Sequence, residues 1–231
     1  MTTNTLSAIE LEQSLSTLLF DLTEHWPSMR ATASQILDDR GFIIYGCGTF
    51  GRPIARHLRS RGVTVFCFAV DPPDPLIGHS VDDVPVLALP EAIARYGRHA
   101  CVMATFFHAY GHRYRGLKAA LEAQGCSVIS YLHYCWRYAE HFLPYYFVDL
   151  PSKLLDSEAA IHLAAGLFAD DASRAEYLQQ LRYRAFPDVV GFDTPVTNKT
   201  DYWPTDLVRR SQKEVVIDCG AYNGDTLKEF L

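Results

Sequence analysis

Apolar residues recur at helical spacing in two stretches at the start of the chain, Leu11, Leu15, Leu18 and Leu19 within 4–22 and Met29, Ala33, Ile36 and Leu37 within 28–39. Residues 1–40 therefore predict a helical lead-in. From Gly41 the period changes. Gly41-Phe-Ile-Ile-Tyr45 is a short β-rich run ended by glycines, and Arg52 to Arg61 returns to helical spacing through Ile54, Ala55 and Leu58. Val63 to Val70 is a continuous apolar run, the pattern of a strand buried on both faces of a parallel sheet. A Pro-rich loop, a short run from Val84 to Leu87, a helix opening at Pro90, a strand from Ala100 to Phe107, a helix over 113–124 and a strand from Ser127 to Leu132 follow. Strands alternating with helices predict βαβ units and an α/β fold with a parallel sheet over 41–135.

From about Tyr134 to Ser211 the strand pattern disappears. Residues 157–168 and 172–185 read as helices, the second opening with Ser173-x-x-Glu176 as a capping box, so 136–212 reads as a helical connector. The aromatic-rich stretch from Tyr131 to Phe147, interrupted by Pro144, predicts packing between the two domains. After a turn-rich segment from Asp188 to Pro204, a new strand signal at Glu214 to Asp218 runs directly into Cys219-Gly-Ala-Tyr-Asn-Gly224.

Composition supports a folded chain: of 231 residues 48% are hydrophobic and 21% charged, close to ordinary globular usage. The net charge of −6 and the scattered Lys and Arg residues argue against nucleic acid as a partner, because phosphate neutralisation needs a basic stripe. No apolar run approaches the roughly 18 residues of a membrane span, and no basic region precedes the first apolar residues, so no membrane association and a cytoplasmic location are expected. The six cysteines (Cys47, Cys67, Cys101, Cys126, Cys135 and Cys219) form no C-x-x-C pair and read as reduced, buried small hydrophobes.

Two glycine loops carry the candidate chemistry. The first, Gly46-Cys-Gly48-Thr49-Phe50-Gly51, lies between a predicted strand and a predicted helix, with Asp71 at the end of the next strand. Glycines permit a tight turn and close approach of the backbone to a phosphate, and an acid about 20 residues on is placed to accept from a ribose hydroxyl. Two readings stand: a nucleotide or sugar-nucleotide site, or a tight βα turn that serves packing alone. Asp71 equally suits a turn, since it opens Asp71-Pro-Pro-Asp74-Pro. His108, Tyr110 and His112 fall after the strand Ala100–Phe107, at the carboxyl edge where open α/β sheets take ligands. With Cys101, His133 and Cys135 nearby in sequence they lack the convergence that a zinc site needs, and no metal is expected. Arg52, Arg56 and Arg59 share one helix face, which reads as a solvated face.

The second loop follows the strand signal at 214–218. Asp218-Cys-Gly220-Ala-Tyr-Asn223-Gly224-Asp225-Thr226 places an acid at a strand tip, a glycine two residues on and another before a helix start. That order suits a cofactor whose charged amino-acid end lies over a bare backbone. It resembles motif I of S-adenosylmethionine-dependent methyltransferases, and the form DCGAYNGDT is similar to the FkbM-type family in particular. Leu167-Phe-Ala-Asp170-Asp-Ala-Ser173-Arg, Leu181-Arg-Tyr183-Arg and Tyr202-Trp-Pro204-x-Asp206 resemble the segments that precede motif I in some members, and 41–135 resembles their N-terminal Rossmann-like module. The resemblance implies that Asp218, Gly220 and Gly224 line an S-adenosylmethionine site, with Asn223, Asp225 and Thr226 as helix-start residues beside it. Tyr222 departs from the general methyltransferase pattern at its middle glycine, a departure the FkbM-type form tolerates.

The fold expected is thus a Rossmann-like parallel sheet with a helical lead-in and connector, followed by a methyltransferase domain of which 213–231 is the start. The implied activity is transfer of a methyl group from S-adenosylmethionine to a hydroxyl of a sugar or small metabolite, with the first domain taking a nucleotide or sugar-nucleotide. Alternatives are a non-catalytic binding module and an NAD-dependent sugar epimerase or dehydrogenase. For the last, Tyr114-x-x-x-Lys118 is a match that 13 tyrosines produce readily by chance. Because Leu227 to Leu231 leave no room for the second acid-tipped strand that holds the cofactor ribose, residues 1–231 purified with labelled S-adenosylmethionine are expected to transfer no methyl group.

Overall fold

The computed structural model describes residues 6–38, 40–106, 111–145 and 148–186, and nearer the C-terminus residues 213, 215, 217–220, 224, 227 and 228. The chain divides into two compact units, 1–193 and 194–231. The first is an α/β unit around a six-stranded sheet, consistent with a Rossmann-like fold.

Its strands are β1 (Gly41–Tyr45), β2 (Val65–Val70), β3 (Ser80–Val81), β4 (Val84–Ala88), β5 (Ala100–Ala104) and β6 (Ser127–Ser130), arranged in the order β3-β4-β2-β1-β5-β6. All pairings are parallel except the short β3 against β4. β1 is central, and the two-residue alternation of a strand divides its side chains between two cores. Phe42 and Ile44 join Ile54, Ala55 and Leu58 of helix α2 (Gly51–Ser60) and the aromatics of α5 (Tyr131–Arg137). Ile43 and Tyr45 join Ala92 of α3 (Leu89–Tyr96) and Tyr114 and Leu121 of α4 (Gly111–Glu122) on the opposite face. With both faces covered, β5 is buried at every position, which explains why its run carries no polar alternation.

The order has one consequence for function. β1 and β5 are neighbours, yet β1 feeds α2 on one face and β5 feeds α4 on the other, so the connections diverge between their carboxyl ends. Such a topological switch point opens a crevice where α/β sheets bind ligands.

A helical layer completes the unit. The lead-in is one helix, α1 (Ala8–Asp38), continuing through Pro27 where the apolar spacing predicts two. Pro27 removes an interior hydrogen bond, but tertiary packing carries the helix past it. Leu11, Leu15, Leu18, Leu19 and Leu22 are buried against Ile161 and Ala165 of α8 (Glu158–Ala165) and Leu178, Leu181 and Ala185 of α9 (Asp171–Ala185). Trp26 meets Trp136 edge-on at 5.2 Å. Lead-in and connector thus share one core. α9 is capped three residues before the expected Ser173: the Asp170 carboxylate accepts from the Ser173 N–H at 2.8 Å and from its hydroxyl at 2.7 Å. Among the described residues no helix is long and apolar enough to cross a membrane.

The aromatic stretch expected between domains instead folds into α5 and α6 (Ala139–Phe142) and lies in the first core, with Tyr131, Tyr134 and Trp136 fully buried. His57 of α2 docks on it. Its Nδ1 lies 2.6 Å from the Tyr134 hydroxyl, and its ring is edge-on to Tyr138, His141 and Phe142. Burial first, then the neighbouring His141 and Arg61 charges, hold the His57 pKa below its usual value. The folded state therefore prefers neutral imidazole, so this contribution to stability is complete above about pH 6.5 and is lost as the pH falls below it, where the unfolded chain takes up the proton first. The denaturation midpoint is expected to fall between about pH 7 and pH 5, and less steeply in His57→Gln, as read by urea unfolding across that range.

Candidate functional site

The first glycine loop sits at the switch point, held from both sides. Gly46 donates its N–H to the Ala69 carbonyl of β2 at 2.9 Å. Thr105, the residue after β5, donates its N–H to the Tyr45 carbonyl at 2.9 Å, and its hydroxyl lies 2.9 Å from the Tyr45 carbonyl and 3.1 Å from that of Gly46. Two of the three glycines have steric reasons to be glycine. Gly46 has φ +118°, and a Cβ there would stand 2.8 Å from Thr105 Oγ1; a Cβ on Gly51 would stand 2.0 Å from the Gly46 carbonyl oxygen. Gly48 differs. A Cβ there would meet nothing within 4 Å, so no packing explains that glycine, and open space lies above it.

Thr49 is exposed on the crest beside Gly48, whereas the Phe50 ring packs against Tyr131 (4.6 Å) and Tyr145 (5.0 Å) and anchors the loop to the first core. The Cys47 thiol is buried, and burial pushes its pKa up, against a smaller opposing pull from Arg52, so it is a packing thiol rather than a nucleophile. Of the three α2 arginines, Arg56 pairs with the Asp82 carboxylate at 3.8 Å and Arg59 donates to the Asp82 carbonyl. Arg52 turns back onto the loop, its Nε donating to the Cys47 carbonyl at 2.9 Å.

Asp71 is at the tip of β2 and exposed. The Tyr45 hydroxyl lies 2.7 Å from each of its carboxylate oxygens, and the Tyr45 ring is braced edge-on by Phe106 at 5.4 Å. The structure thus places Gly46, Gly48, Thr49 and Gly51 at the carboxyl end of β1 and Asp71 at that of the neighbouring β2, joined to β1 through the Tyr45 hydroxyl. His108 and Tyr110 lie outside the described residues. Tyr114 is buried in the second core at 2% exposure, on the sheet face opposite α2. No group of three or more His, Cys, Asp or Glu side chains suited to a metal occurs among the described residues.

In the second unit, Gly220 (φ +135°) and Gly224 (φ +79°) both adopt the left-handed backbone that favours glycine, with nothing within 4 Å of a Cβ on either. Asp218 is exposed, and the Lys228 N–H donates to the Gly224 carbonyl at 3.0 Å, a first helical turn after the loop. Asn223, Asp225 and Thr226 lie outside the described residues. The strand expected ahead of this loop is not formed at residues 215, 217 or 218, and Val215 and Ile217 are 88% and 82% exposed. A parallel strand takes its backbone partners from neighbouring strands, and none among the described residues pairs with these.

Sequence reasoning missed Thr105, Tyr45 and the tether of Arg52. The signal for Thr105 was present: a hydroxyl residue ends the buried run Ala100–Ala104 at the switch point. No protein-family model, no curated protein and no solved structure matches the chain.

The glycines separate by substitution. Gly51→Ala is expected to cost about 1–3 kcal/mol or more, from overpacking against backbone, and Thr105→Val about 1 kcal/mol from the lost hydroxyl contacts. Gly48→Val is expected to leave the urea midpoint nearly unchanged; equal destabilisation by Gly48→Val and Gly51→Ala would refute this division of roles.

Proposed function

We propose that the chain is the N-terminal portion of an S-adenosylmethionine-dependent methyltransferase of FkbM type, acting on a hydroxyl of a sugar or small metabolite, whose first domain holds a nucleotide or sugar-nucleotide. The observation that carries the methyltransferase reading is the second loop. Its acid and two glycines stand in motif I order, both glycines are left-handed, and both backbones are bare. S-adenosylmethionine supplies an electrophilic methyl group when bound. Toward it, Gly220 and Gly224 allow close approach of the backbone, and the Asp218 carboxylate accepts from a hydroxyl or offsets a cationic group. Asn223, Asp225 and Thr226 stand beside them in sequence. The first domain's part is to hold a phosphate-bearing ligand over Gly48, with Asp71 accepting from a ribose hydroxyl.

A second reading, a non-catalytic binding module, is favoured by one observation. The first loop is braced entirely within the protein by Thr105, and Asp71 is held by Tyr45, so neither needs a ligand to be ordered.

Calorimetric titration of the chain with UDP-glucose, NAD and S-adenosylmethionine separates the readings. Saturable UDP-glucose binding that is lost in Gly48→Val is the expected result, together with weak S-adenosylmethionine binding, lost in Gly220→Val, because 213–231 carry only the first loop of that site. Nucleotide binding with no response to S-adenosylmethionine favours the binding module, and NAD binding alone favours a dehydrogenase.

A further inference from the structure

The three arginines along one face of α2 look alike in the sequence, and the structure separates them. Arg56 and Arg59 both turn to the Asp82 turn, one to its carboxylate and one to its carbonyl. Arg52, the second residue of α2, reaches back instead, and its Nε donates to the carbonyl of Cys47 inside the glycine loop at 2.9 Å. That tether, with a second contact to the Cys47 thiol, fixes the plane of the guanidinium beside the loop and leaves part of its five-donor fork for another partner. Arg52 is exposed, and beside it Gly48 has open space where a side chain would stand. A solvated surface arginine loses side-chain entropy by being held in this way, and the neutral carbonyl that holds it does not use the forked geometry that suits arginine to paired oxygens.

We propose that Arg52 is the phosphate-binding residue of the first crevice, its Nη groups clamping the diphosphate of a nucleotide laid over Gly48. The inference rests on the nucleotide reading given above and narrows it to diphosphate-bearing ligands. The ligand then meets three separate groups: the bare backbone at Gly48 and the Arg52 fork at the phosphates, and Asp71 at the ribose. A phosphate on the ribose itself is the other source of the same chemistry. Asp71 and Asp74 disfavour it, because both acids lie in the segment after β2 and no basic residue stands between Asp71 and Gly78.

The test is calorimetric titration of the full chain with UDP and ADP, each beside its nucleoside, at low and high salt. A margin of roughly tenfold or more for the diphosphate is expected in the unmodified chain, because charge-assisted bidentate contacts of this kind carry about that much. Arg52→Gln is expected to remove most of that margin and to flatten its decline with salt, leaving nucleoside affinity in place. Arg52→Lys, which keeps the charge but loses the fork and the tether, is expected to fall between. Equal loss of diphosphate and nucleoside would make Arg52 a structural brace, and unchanged diphosphate binding in Arg52→Gln would also overturn the assignment. A preference for NADP over NAD that disappears in Arg52→Gln would overturn it in favour of a ribose phosphate. If the unmodified chain binds neither nucleotides nor nucleosides, the nucleotide reading itself falls; if nucleotides bind independently of Arg52, only this inference falls.

Discussion

The closeness of Gly51 to the Gly46 carbonyl is the constraint on which the first crevice depends. With 2.0 Å between that oxygen and the place a Cβ would occupy, the first turn of α2 can sit against the end of β1 only if residue 51 has no side chain. Thr105 then closes the arrangement from β5, spending its hydroxyl on the carbonyls of Tyr45 and Gly46. The Tyr45 carbonyl also accepts the Thr105 N–H, so the hydroxyl matters most at the Gly46 carbonyl, where a buried acceptor left without a partner costs about 1–3 kcal/mol. One side chain thus ties the end of β1 and the start of the loop to β5.

This bracing extends outward on both faces. On the first, Phe50 links the loop to Tyr131 and Tyr145, and α5 in turn carries Trp136 to Trp26 of α1. The loop is therefore continuous, through aromatic packing, with the helical layer formed by α1, α8 and α9. On the second face, Tyr45 spans from β1 to the tip of β2, with Phe106 behind its ring. Rigid packing of this kind is what positions ligand-binding groups without ordering costs at the moment of binding.

Legibility from the sequence followed the physics of each element. The buried parallel strands β1, β2 and β5 were readable because burial on both faces demands unbroken apolar runs, and α2 because Ile54, Ala55 and Leu58 recur at helical spacing. β3, two residues long and paired only at the edge, left no periodic signal. The passage of α1 through Pro27 was hidden because local propensity favours a break there, and packing against residues more than a hundred positions away outweighs it. At the site, the glycines and Asp71 were legible as a spaced motif. The roles of Thr105 and Tyr45 were not, because each depends on which strands are neighbours, and the pairing of β1 with β5 joins segments some sixty residues apart.

The two glycine loops show how much a common motif owes to its surroundings. In the first, Gly46 and Gly51 are required by contacts within the fold, and only Gly48 faces open space. In the second, a Cβ on Gly220 or Gly224 would meet nothing within 4 Å, and residues 215, 217 and 218 ahead of them lie in no strand. A loop fixed by bonds to flanking strands presents its groups at set positions, whereas one whose strand is unpaired has left-handed glycines as its main local constraint. The groups presented at the first loop are those of unit 1–193: the bare backbone at Gly48, the Arg52 guanidinium and the Asp71 carboxylate. The second loop's glycines hold left-handed backbone, whereas residues 215, 217 and 218 lie in no strand, and a carboxylate at a strand tip takes its position from the sheet that carries the strand.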